Sequence, residues 1–99
     1  MKRYILKNST RADKRFEINM SGMLHHFGSD VGKTYIDHKD ERKKKAWIAR
    51  HKNDKNYNDM HSGIYHSKNL LWNKPTLTEA IKDYEKKHQV TLINQTGIK

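Results

Sequence analysis

The stretch Lys14-Arg15-Phe16-Glu17-Ile18-Asn19-Met20 alternates without a break. Phe16, Ile18 and Met20 are apolar and the residues between them are polar, which is the period of a strand with one buried face. Ser21-Gly22 can then turn the chain, and Met23-Leu24-His25-His26-Phe27 reads as a returning strand. A hairpin over 14–27 is therefore predicted. A lone hairpin is marginal in water, so the rest of the chain must extend the sheet and cover its apolar face.

The flanking segments supply both. Tyr4-Ile5-Leu6 within Arg3–Lys7 is a further strand, Asn8–Asp13 a turn, Gly28–Gly32 a loop and Lys33–Ile36 another short strand. A helix is predicted over 39–52. Asp37 or Asp40 can cap it, and the pairs Asp40–Lys44 and Glu41–Lys45 are spaced to support it. On a helical wheel Lys44, Trp47, Ile48 and His51 share one side, so Trp47 and Ile48 are expected to dock it onto the sheet. A second helix, 63–72, carries the apolar pairs Ile64/Leu71 and Tyr65/Trp72. Asn73-Lys74-Pro75 stops it, and Thr76-Leu77-Thr78-Glu79 has the form of a capping box. Leu77, Ala80, Ile81, Tyr84 and His88 then define a third helix over 77–88, and 89–99 is a strand around Val90-Thr91-Leu92-Ile93 or a tail. The expected fold is α+β: a single domain over 1–99, with a small antiparallel sheet packed by two or three helices.

Only 33% of the residues are apolar, so such a core must use most of the nine aromatics. Trp47 and Trp72 are accordingly assigned to the core rather than to stacking on bases, although Tyr35, Tyr57 and Tyr65 share that chemistry. Cysteine is absent, which removes disulfides and thiolate metal sites. No apolar run approaches the roughly 20 residues that span a bilayer. The apolar patch at Tyr4-Ile5-Leu6 is too short for a secretory signal. The two Asn-x-Thr matches, at Asn8 and Asn94, are read as chance.

Charge is the strongest compositional signal. The net charge is +10, in two blocks. Residues 1–15 hold six bases against one acid and residues 41–56 seven against two, while the stretch between them is net acidic. Such a chain attracts polyanions. The run Arg42-Lys43-Lys44-Lys45, followed by Arg50 and Lys52, suffices for contacts to backbone phosphates, which need only placed positive charge. A four-base cluster of this kind also resembles a nuclear localisation signal. No helix-turn-helix, zinc-finger or basic-zipper pattern indicates sequence readout.

Two chemistries are weighed and set aside. Gly28-Ser29-Asp30-Val31-Gly32-Lys33-Thr34 ends like a phosphate-binding loop but is one residue short, and a strand rather than a helix is expected after it. The seven histidines lack metalloenzyme spacing, so they are read as surface or half-buried side chains. A nuclease centre built on His25, His26 or His38 with Asp37 or Asp40 is the enzymatic alternative.

His26-Phe27-Gly28, Thr34-Tyr35-Ile36-Asp37-His38-Lys39-Asp40, Ile48-Ala49-Arg50-His51, Asn58-Asp59 and Leu70-Leu71-Trp72-Asn73-Lys74-Pro75-Thr76-Leu77 together form a signature. Over about 25–88 the chain resembles a family of small basic uncharacterised proteins of nucleocytoplasmic large DNA viruses, including giant and algal viruses. It departs from that family at Tyr57, Met60 and Ile64-Tyr65-His66. The resemblance implies a viral protein, a component of the virion, present in the host cytoplasm or nucleus during infection. It brings no catalytic residue. The same signature is expected to fix corners of the fold, with His51 or His38 bonded to Asn58 or Asp59.

The resulting expectation is a non-enzymatic basic protein that binds nucleic acid, DNA first, without strong sequence preference. Its contacts would be Arg42, Lys43, Lys45, Arg50 and Lys52, with Lys2, Arg3, Arg11, Lys14 and Arg15 from the N-terminal block. No cofactor or metal is called for. The alternative is a minor capsid or internal structural protein whose basic surface meets acidic core or capsid proteins; an exposed apolar patch beside the basic one would mark it.

Overall fold

The computed structural model describes residues 2–99. Three strands open the chain: β1 (Lys2–Asn8), β2 (Lys14–Met20) and β3 (Met23–Ser29). They form an antiparallel meander in which Phe16 pairs with Phe27 and Met20 with Met23. Ser21 and Gly22 both adopt positive φ, 58° and 100°. That is the twist a two-residue hairpin turn needs to match its strands. The predicted hairpin is present, and its strand ends two residues later than expected.

Four helices follow: α1 (Tyr35–His38), α2 (Glu41–His51), α3 (Gly63–Leu70) and α4 (Leu77–His88). Gln89, at φ 52°, then turns the chain into β4 (Val90–Asn94). β4 lies beside β1 in parallel, Tyr4 opposite Leu92, giving the order β3-β2-β1-β4. The sheet is thus mixed rather than purely antiparallel. The predicted helix 77–88 matches α4 at both ends, and the other two long helices are slightly shorter than expected.

One face of the sheet carries the core. Leu6, Phe16, Ile18 and Phe27 are essentially inaccessible, and α3 and α4 seal them with Leu70, Leu77, Ala80 and Tyr84. Gly63 lets α3 approach β3 closely, since a Cβ there would stand 2.9 Å from the His26 carbonyl oxygen. Gly28, at φ +78°, does the same for Leu71, whose Cδ1 would meet a Cβ at 2.8 Å. The Thr76 hydroxyl accepts from the Glu79 N–H (3.1 Å) at the start of α4. That is the threonine half of the expected capping box, and no return bond from the Glu79 carboxylate accompanies it.

Two expectations are overturned. Lys33–Ile36 is not a strand: Thr34 precedes the single helical turn α1. The Asp37 carboxylate accepts from both the backbone N–H and the hydroxyl of Thr34 (2.8 and 2.9 Å), which closes that turn locally. Nor does α2 dock on the sheet. Trp47 is its one buried side chain, Ile48 is only half-buried, and α2 contributes no described residue to the main core.

Candidate nucleic-acid interface

α2 begins as its sequence requires. The Asp40 carboxylate accepts from the Arg42 and Lys43 N–H groups (2.9 and 3.4 Å), so Asp40 is the cap. The predicted docking face is also the observed one, since Trp47 is buried and Lys44, Ile48 and His51 are half-buried. Its partner is the α3–α4 corner instead of the sheet. Trp47 stacks on Trp72 with ring centres 5.2 Å apart and planes at 11°. His51 lies against Trp47 at 4.6 Å, and His38 against Trp72 at 5.5 Å.

Lysines strap the same corner. Lys44 Nζ donates to the Asn73 carbonyl (2.7 Å) and sits 4.9 Å from the Tyr35 ring centre. Lys39 Nζ donates to the Ile36 and Pro75 carbonyls (3.0 and 2.8 Å). Lys44 is thereby drawn away from Asp40, and neither expected i,i+4 ion pair forms among the described residues. His51 Nδ1 bonds Asp54 (2.7 Å), while His38 Nδ1 accepts from the Asp40 N–H (2.9 Å). Neither histidine reaches Asn58 or Asp59 as anticipated.

With Lys44 and Trp47 turned inward, the opposite side of α2 is free. Arg42, Lys43, Lys45, Arg50 and Lys52 are all exposed, and among the described residues none stands within ion-pair distance of a carboxylate. The N-terminal block is divided. Arg15 makes a two-pronged bond to Asp37 (2.6 and 2.8 Å) and so is held by a carboxylate of α1. Partial burial raises the Asp37 pKa, but hydrogen bonds from Arg15 and Thr34 and the Arg15 charge outweigh it. The carboxyl titrates well below the usual carboxylate range. Arg11 meets Asp13 in an exposed pair at 3.3 Å. Lys2 and Arg3 lie at the Val90 end of β1, roughly 20 Å along the strand from its Asn8 end. Of the five, Lys14 borders a cleft that also involves α2.

That cleft, about 640 Å³, runs between the 28–34 loop, the α2 residues Trp47 and His51, and the start of α3. A second concavity, about 410 Å³, lies on the free side of α2 and is lined by Lys33, His38, Lys43, Ala46, Arg50 and Trp72. It brings three bases together and no acid. The sequence marked two of them, and the spacing Lys43, Ala46, Arg50 places all three of those residues on one helix face. Lys33 lies outside both basic blocks, so the charge pattern does not mark it. A helical turn rather than a strand follows the glycine loop, and its start is occupied by Asp37.

Three of the remaining histidines, His25, His61 and His66, pack together. His25 and His66 stack at 5.8 Å, with His61 5.9 Å from His25. His66 Nε2 bonds the Met60 carbonyl (2.8 Å), and Tyr65 bonds His88 (2.8 Å). His66 is fully buried. Desolvation lowers its pKa to about 4; the bond to Met60 opposes this and the neighbouring histidines add to it. His26 bonds Ser9 and His38 bonds Asp40, so the three histidines named for a nuclease centre have separate surroundings. Among the described residues no group of three or more histidines and carboxylates could hold a metal ion, and no helix is long and apolar enough to cross a membrane.

Residues 4–51 match the model of a family described as a family of unknown function (DUF5754). The match runs from within β1 to the last residue of α2, so it includes β2, β3, the glycine loop and the basic helix but neither β4 nor Trp72. No curated protein and no solved structure matches the chain.

Proposed function

We propose that this protein binds nucleic acid through backbone phosphates, without strong sequence preference and without catalysing a reaction, and that it does so in a virus particle. The viral setting rests on the sequence resemblance. The binding rests on one observation: the outer side of α2 is lined by unpaired bases while its inner side is fully engaged in docking. Arg42, Lys43, Lys45, Arg50 and Lys52 are the principal contacts, with Lys33 beside them; Lys14 borders the cleft at the docked side of α2. Arg15 belongs to the fold, and Lys2 and Arg3 reach only a ligand long enough to span the sheet.

The exposed apolar residues argue for this reading over a capsid contact. Met23 and Leu24 are at the hairpin turn, the opposite end of β3 from the loop that carries Lys33, and Val31 borders the other cleft. That falls short of the roughly 1,000 Å² of complementary surface a stable protein interface needs.

Fluorescence anisotropy of duplex and single-stranded DNA across a salt series tests the proposal. With about six phosphate contacts, affinity should fall by around 10³ between 50 and 200 mM salt. Replacing Arg42, Lys43, Lys45 and Arg50 by alanine should flatten the logarithmic salt slope on duplex by roughly three to four. Salt-insensitive binding, or no binding to either strand form, would overturn it.

A further inference from the structure

The concavity beside α2 has a shape that general phosphate contact does not require. Bases that track a duplex backbone need only stand on an exposed surface. Lys33, Lys43 and Arg50 instead line one hollow of about 410 Å³, contributed by two separate segments of the chain. Ala46 lies between Lys43 and Arg50 on α2, and its short side chain leaves the hollow open. Trp72 forms an apolar wall whose ring is fixed by the stack on Trp47. His38 adds its ring to the lining; its Nδ1 accepts from the Asp40 N–H, and its Nε2 is buried. No carboxylate lines the hollow among the described residues.

We infer that this hollow holds the terminal phosphate of a nucleic-acid strand. The inference rests on the nucleic-acid reading above and narrows it to strand ends. A phosphodiester carries one negative charge and must both enter and leave its site. A terminal phosphomonoester approaches two charges at neutral pH and offers three free oxygens. Three cations lining one hollow therefore match the end of a strand better than its middle, and charge-assisted bonds to each would hold it. Trp72 would lie against the sugar or base next to that phosphate.

The test compares single-stranded oligonucleotides of one sequence carrying a 5′-phosphate, a 3′-phosphate or only hydroxyl ends, each labelled away from the end in question. The protein should bind one phosphorylated form about tenfold more tightly than the hydroxyl form at equal salt. Ala46→Leu fills the hollow, keeps every charge and suits an exposed helix position. It should abolish the preference while leaving binding to the hydroxyl strand and its salt slope unchanged. Lys33→Ala should weaken the preference as well. Equal binding of all three strands with a steep salt slope would overturn the end-binding inference and leave the backbone reading intact. A preference that survives Ala46→Leu would also overturn it, because the phosphate would then sit elsewhere. Failure to bind any strand would overturn both.

Discussion

α4 and α2 are both amphipathic helices with a capped start, yet they are held in different ways. α4 buries Leu77, Ala80, Ile81 and Tyr84 in the main core, against the sheet and α3. α2 buries Trp47 alone, outside that core, and is otherwise fastened by a ring stack and lysine bonds to backbone carbonyls. Burial of apolar area scales with the side chains removed from water, so α4 should share the stability of the whole domain. A stacked aromatic pair adds only about 0.5–1.5 kcal/mol beyond its buried area. α2 should therefore open separately, below the energy of global unfolding. The contrast also bears on the proposed interface: a helix fastened along one narrow edge leaves its remaining surface exposed.

The most damaging substitutions expose this difference most clearly. Leu77→Ala leaves a cavity in the core and should cost about 2–5 kcal/mol in urea unfolding, with every probe shifting together. Trp47→Ala should release α2 alone: its amides lose exchange protection and the stacked-indole circular dichroism disappears, while the β-sheet amides stay protected. If the sheet loses protection equally, α2 is part of the cooperative core and the comparison fails.

Acid should act on the α3–α4 side next. The unfolded chain takes up a proton at an imidazole near pH 6.5, whereas His66 in the fold resists protonation until about pH 4. Between those values the unfolded state holds more protons, so stability falls as pH falls through that window and levels off below it. The loss from His66 is about 3 kcal/mol. His25 and His88, also lowered chiefly by burial, add to it in the same direction. Urea midpoints measured from pH 7 to pH 4 check this, and a flat profile would show that the histidines take up protons in the fold as readily as in the unfolded chain. The Arg15–Asp37 pair should weaken only below the ordinary carboxylate pKa, so α1 outlasts the histidine cluster on acidification.

The smallest effect is the most diagnostic. Thr76→Ala and Asp40→Ala each remove a helix cap worth about 1 kcal/mol. The first should lower global stability by that amount. The second should raise only the opening rate of α2 amides, with the urea midpoint of the sheet unchanged.

Much of this architecture was legible from local patterns. Alternation in 14–20 and a Ser-Gly turn specified the hairpin, because a strand's faces repeat every two residues whatever lies around it. Helical spacing and a threonine cap specified α4 to the residue. The docking face of α2 was correctly read as Lys44, Trp47, Ile48 and His51, since the wheel depends only on position. What that face would meet was beyond reach of the wheel. Lys33–Ile36 misled because Tyr35 and Ile36 favour strands, whereas the local capping box between Thr34 and Asp37 outweighs that preference and starts a helical turn.

The same division holds at the interface. The sequence by itself determined that α2 is a basic helix with Arg42, Lys45, Arg50 and Lys52 on the side away from Trp47, because charge and helical period are local properties. Only the tertiary structure decided which bases keep their charge for a ligand. Asp37 lies 22 positions from Arg15 and claims it; Lys33, ten residues before Lys43, turns out to share its hollow. Such pairings are set by how strands and helices pack, and packing is a sum over distant contacts that no local spacing encodes.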